Sequence, residues 1–332
     1  MTIRISLRNF LVGVLVLLIG IILALAYLYY ALTRPPGLDT YRTSELQPLF
    51  SIYGKSSKLE DLLKRPNDVA FDRKDDIYIA DSENARVFVF DAQGRFLRQI
   101  GKKGTGKGDL QVPMGVTVAS DGTTYVTDKQ LSKIAIYDAN GKPKKDIVLA
   151  HPMKPFVAGN RLYVTTAQSV NAYSLDGREL TKIGRQGKAK GEFAFPFGVT
   201  VDADKTIYVA DLMNLRVQAL KMNGEAVWVK GEPAKDMYGK DRTFGLPAGI
   251  AIGNDGYLYV ADSFNHCITA LTKDGKIVGS TGRRGTREGE LDYPAGIASR
   301  GDGVFAIADK YNDRVQIVRL SVKVKSKRQA AE

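Results

Sequence analysis

Five aspartates recur along the chain: Asp81, Asp128, Asp211, Asp262 and Asp309. Four of them are followed, five residues later, by a cation: Arg86, Lys133, Arg216 and Arg314. A row of carboxylates could hold metal ions or move protons. A carboxylate and a cation separated by a turn can instead face one another across a hairpin and clasp it through charge-assisted hydrogen bonds. Repetition favours the clasp, because every copy of a folding unit needs it, whereas an active site is needed once.

Other chemistry is sparse. Two histidines, His151 and His266, cannot supply a three-histidine zinc centre, and the single Cys267 forbids an intrachain disulfide or a multi-cysteine metal site. No nucleophile elbow or zincin signature occurs. No catalytic residue, metal or cofactor is expected. What is abundant is positive charge, with 48 basic against 36 acidic residues and a net +12. Three glycine-rich segments hold much of it: 101–109 with Lys102, Lys103 and Lys107, 184–192 with Arg185, Lys188 and Lys190, and 282–290 with Arg283, Arg284 and Arg287. Together with 55–65 they carry +7 of that +12. Such a concentration attracts an acidic protein or an anionic polymer. The competing reading is a solvated loop set whose cations pair with their own acids. A phosphate-binding loop is not expected, since no Gly-Lys-Ser/Thr ending opens a helix. The tail residues Lys323, Lys325, Lys327 and Arg328 read as a solvated end.

The elements that carry these residues repeat. Each copy opens on Pro-x-Gly and an aliphatic run, turns at Asp or Gly, continues as Tyr-Val-Ala-Asp and ends on Asn-x-Arg-Ile/Val. The fullest copies start at Pro196, Pro247 and Pro294, two more at Pro66 and Pro113, and a degenerate one at Pro152. The spacings are 47, 39, 44, 51 and 47 residues, the period of a four-stranded propeller blade. The runs are short, β-branched and aromatic, so they predict strands. Residues 92–94, Asp176-Gly177, Asn223-Gly224 and Asp274-Gly275 predict tight hairpins. Some copies depart: Asp68 and Thr166 stand where the phrase has glycine and aspartate, and Cys267 where it has arginine. The last copy lacks a fourth strand, whereas Leu49–Gly54 has the form of one and precedes the first copy. The first strand is therefore predicted to complete the last blade beside Arg314–Leu320 and close a ring.

These phrases resemble NHL repeats over about residues 48–320. The resemblance implies a six-bladed, all-β propeller in which the glycine-rich basic loops share one face with the turns between second and third strands. Related propellers include zinc-dependent amidating lyases and calcium-dependent lactonases, so a lactonase-like hydrolase or metal-dependent lyase is the alternative to a binding module. The two histidines fall short of the first, and Asp68 is the lone odd carboxylate for the second. Some NHL propellers bind RNA through a basic face.

The N-terminus has a different character. Residues 10–31 contain no charged residue, and 22 residues of helix reach about 33 Å, enough to cross a bilayer. Tyr27, Tyr29 and Tyr30 mark one end as an aromatic belt, and Arg4 and Arg8 favour a cytoplasmic N-terminus. The expected order is a cytoplasmic stretch 1–9, a single membrane span 10–31 acting as a signal anchor, a linker 32–47, an extracytoplasmic propeller 48–322 and a basic tail 323–332; a signal peptide cleaved after the small-x-small Ala24-Leu25-Ala26 is the competing reading. Export argues against a nucleic-acid partner. The expected role is a membrane-tethered, non-catalytic binding or scaffold propeller whose partner is a protein or an anionic polymer. A hydrophobic rim near Met114, Phe197 and Tyr293 is a further contact surface for it.

Overall fold

The computed structural model describes residues 18, 20–23, 25, 46–231 and 243–322. The six described residues before position 26 are helical. Among the described residues no helix is long and apolar enough to cross a membrane. The rest of the expected span 10–31, the linker to position 45 and the basic tail lie outside them.

The repeating unit makes six antiparallel sheets of four strands. Five sheets follow chain order, while the sixth takes its outermost strand from the start of the chain. Gln47–Ile52 pairs there with Arg314–Arg319, Gln47 opposite Arg319 and Ile52 opposite Val315. The closing strand thus begins two residues before the predicted Leu49. Its pairing covers two sheet edges that an open stack would expose. The hairpin glycines Gly94, Gly177, Gly224 and Gly275 all have φ between +79° and +90°, a region in which other residues are strained.

The inner strands are Pro66–Phe71, Pro113–Val118, Pro155–Ala158, Pro196–Val201, Pro247–Ile252 and Pro294–Ser299. Each runs down the axis from the loop face, and each is the free edge of its sheet. The second strands are buried throughout in all but the degenerate blade, where Arg161 alone is exposed. Side chains of adjacent blades fill the space between sheets, so the core is a set of inter-blade layers such as Val69, Ile79 and Phe88 against Ala306 and Ile317.

The Pro-x-Gly phrase has a geometric cause. A register shift follows each lead proline in the five regular blades; Pro196 faces Asp211, but Val199 faces Val209. The shift throws the glycine toward the next inner strand. A Cβ on Gly198 would lie 2.3 Å from the Ala248 carbonyl oxygen, and one on Gly249 would lie 2.6 Å from that of Ala295. Glycine is needed here for close approach of backbones, not for an unusual φ.

Candidate functional site

The clasp residues lie on the loop face and reach further than the hairpin. Arg86 Nε donates to Asp81 at 2.8 Å, Arg216 Nε to Asp211 at 2.9 Å and Arg314 Nε to Asp309 at 2.8 Å. Other guanidinium donors reach up to the overlying blade-to-blade loop, and Arg314 Nη1 donates to the Tyr53 hydroxyl at 3.2 Å. Arg86 meets the carbonyls of Glu60 and Leu62, Arg216 those of Lys188, Ala189 and Glu192, and Arg314 those of Arg287 and Glu290. The planar fork of arginine lets one buried side chain hold a carboxylate and a loop together. Burial pushes the carboxyls of Asp81, Asp211 and Asp309 up, and their hydrogen bonds to asparagine, backbone and arginine oppose that shift.

Lys133 corrects the expected pattern. Asp128 accepts from the backbone amides of Gln111, Val112 and Leu131 and forms no ion pair with Lys133. Lys133 Nζ turns to Asp146 on the outer strand at 2.8 Å and to the Gly106 carbonyl at 3.3 Å. A point-like ammonium lacks the fork that would span both carboxylate and loop. At Asp262, where Cys267 replaces the arginine, backbone amides of Gly245 and Leu246 and the Asn265 side chain supply the donors instead. Burial pushes the Cys267 thiol well up, which makes it unreactive. His266 packs edge-on against Tyr293 at 4.9 Å and accepts the Tyr293 amide, and burial lowers its pKa. His151 is exposed.

The nine basic loop residues divide. Arg185 pairs with Glu192 at 2.9 Å, Arg283 with Glu290 at 3.0 Å and Arg284 with Asp292 at 3.5 Å. Lys102, Lys103, Lys107, Lys188, Lys190 and the Arg287 side chain are exposed and form no ion pair among the described residues. Local acids therefore absorb three arginines of two loops and leave Arg287 and the lysines to solvent.

At the axis the repeat is broken by charge. Gly115, Gly198, Gly249 and Gly296 occupy one level of the inner strands, and at that level the first and third blades carry Asp68 and Lys154. The two meet in front of the intervening Gly115: Lys154 Nζ lies 2.5 Å from Asp68 Oδ1, and both side chains are buried. Lys154 also donates to the Asn67 carbonyl at 2.8 Å, and Asp68 Oδ2 accepts the Val116 amide at 3.1 Å. A Cβ on Gly296 would lie 2.9 Å from Lys154 Nζ, so glycine opposite the pair makes room for it. The Lys154 ammonium stands 5.3 Å from the centre of the Phe197 ring. Burial drives the Asp68 carboxyl up and the Lys154 ammonium down, each opposed by the other's charge. Below the pair, a cavity of about 520 Å³ follows the axis, walled by Val69, Val116, Val157, Val199, Ile250 and Ile297. Above it, Asn67 is buried and links three blades. Its Nδ2 donates to the Met114 carbonyl at 2.7 Å, and its Oδ1 accepts from Lys310 Nζ at 3.2 Å.

Asp68 was conspicuous in the sequence, but Lys154, Asn67 and Lys310 were not. The signal for Lys154 is its place two residues after Pro152, where a regular copy has glycine. Lys129 and Lys310 share one position, directly after the recurring aspartate, in the blades that flank the first. Among the described residues no cluster of three or more His, Cys, Asp or Glu is placed to hold a metal ion.

Residues 58–161 match a family model described as a 6-bladed β-propeller, and residues 244–271 match the NHL repeat. Protein brain tumor of Drosophila melanogaster is 31% identical over 105 residues, 30% of this chain and 10% of that protein. The chain thus spans about a tenth of the length of this curated relative. Among solved structures, a protein of unknown function from Bacteroides thetaiotaomicron superposes with a TM-score of 0.60 at 16% identity, over 87% of this chain and 75% of the other. Virginiamycin B lyase from Staphylococcus aureus does so with 0.54 at 15%, over 76% and 80%. At these identities the likeness is one of fold. The chain is a six-bladed β-propeller that carries NHL-repeat sequence.

Proposed function

We propose that this protein is a membrane-tethered binding propeller whose loop face docks an acidic surface of a protein partner. The observation that carries the reading is the combination of fixed loop backbones and free loop cations. Buried arginines hold the carbonyls of two of these loops and Lys133 a carbonyl of the third, while Lys102, Lys103, Lys107, Lys188, Lys190 and Arg287 are exposed and form no ion pair among the described residues. A surface whose backbone is held before binding loses less entropy on docking. The tether rests on the uncharged run 10–31 and on Arg4 and Arg8 before it, which favour an extracytoplasmic propeller.

The test is binding of fluorescent poly-L-glutamate to the full chain in nanodiscs, against Lys102→Glu/Lys103→Glu/Lys188→Glu/Lys190→Glu. The reading expects saturable binding that weakens steeply with salt and falls at least about tenfold in the variant. Equal binding by both proteins would remove the loop face from the account.

A further inference from the structure

At the axial mouth stands an ammonium that pairs with no carboxylate among the described residues. Lys310 is half-buried, and its one polar partner among the described residues is the neutral Asn67 side chain. Lys154, Arg65 and Lys129 add like charge around it, and Glu83 opposes them. These other charges are mostly spoken for. Lys154 is held by Asp68, and Glu83 is engaged by Lys64 and Arg65, each at 3.1 Å. Lys129 is exposed and solvated. One partly buried positive charge is therefore left without a counter-charge among the described residues. Burial and the like charges of its neighbours hold the Lys310 pKa below the ordinary lysine value.

Partial burial of an ammonium with no carboxylate beside it is unfavourable, and a bound anion would offset that cost. One uncompensated ammonium calls for a monoanion. The neighbours Phe197 and Met114, half-buried beside Lys154 and Asn67, suit an organic anion better than an inorganic one. We propose that the axial mouth on the loop face binds a small organic carboxylate, with Lys310 as its counter-charge and Asn67 holding that lysine in place. The site uses none of the loop cations, so it stands or falls apart from the acidic-partner reading.

Calorimetric titration of the full chain with 4-bromobenzoate tests it, with 4-bromobenzamide as the neutral analogue. The site predicts saturable binding of the benzoate and at least about tenfold weaker binding of the amide, as expected for one charge-assisted contact. Lys310→Met is expected to lose at least about tenfold in affinity, Lys310→Arg to keep it, and the four-lysine loop reversal to leave it unchanged. Lys310→Met should melt no lower than the parent, which shows that any loss is not unfolding. In crystals grown with the benzoate, anomalous bromine density belongs at the mouth. Absence of saturable benzoate binding, equal binding of benzoate and amide, or full affinity in Lys310→Met overturns the proposal.

Discussion

In three blades a single arginine on the third strand, Arg86, Arg216 or Arg314, joins three things: its own hairpin, the carboxylate before it and the loop arriving from the previous blade. Arg216 shows the consequence. Arg216→Lys keeps the charge but loses the fork, and should destabilise the propeller by about 1–3 kcal/mol in a denaturant titration, because loop carbonyls lose their donors. No change in midpoint would mean that water replaces those bonds without loss. The axial pair predicts non-additivity. Lys154→Met leaves Asp68 buried and unpaired and should cost about 3–5 kcal/mol, whereas Asp68→Leu with Lys154→Met should recover most of that loss. Two losses that simply add would show that the residues act separately. On the surface, Glu192 lies below the ordinary 4.5, first because Arg185 donates to it and then because the Ala189 amide does. A depressed carboxylate stabilises the fold above its unfolded pKa and loses that contribution as pH falls through the folded one. Carbon NMR titration should therefore place Glu192 below 4.5 in the parent and closer to it in Arg185→Gln. An unshifted Glu192 in the parent contradicts the pair.

At the scale of elements, the blade was readable because its signals are local. Proline opens the inner strand, glycine permits close approach, and Asp-Gly or Asn-Gly turns the hairpin. The closing strand was readable too, from a surplus strand at one end and a missing one at the other. A cross-strand pair tests that register: Gln47→Cys with Arg319→Cys, directly opposed in the structure, should form a disulfide on oxidation and raise the denaturation midpoint. Failure to cross-link would mean that the ring closes in another register. What stayed hidden depended on partners remote in sequence. Lys133 finds Asp146 across a hairpin, where the regular spacing pointed to Asp128. Lys154 finds Asp68 across the axis, 86 residues away, from the one blade whose phrase is degenerate. Lys310 and Asn67 come together from opposite ends of the propeller sequence, so only ring closure makes them neighbours.

At the scale of the whole molecule, the ring separates two faces. One carries the clasped basic loops and the axial mouth, and the other carries the hairpins and the open end of the axial cavity. If residues 10–31 hold the chain in a membrane, the protein should resist extraction by high salt and alkali, and deletion of residues 1–37 should release it into the soluble fraction. A deleted chain that still sediments with membranes would contradict the tether. The most direct measurement of the central claim is photo-cross-linking in cells from a reactive amino acid placed at Lys188 on the loop face or at Lys205 on the hairpin face. The account predicts a specific cross-link to an acidic protein from position 188, abolished when Lys102, Lys103 and Lys190 are reversed to glutamate, and none from position 205. A cross-link from 205 alone, or one from 188 that survives the reversal, would contradict it.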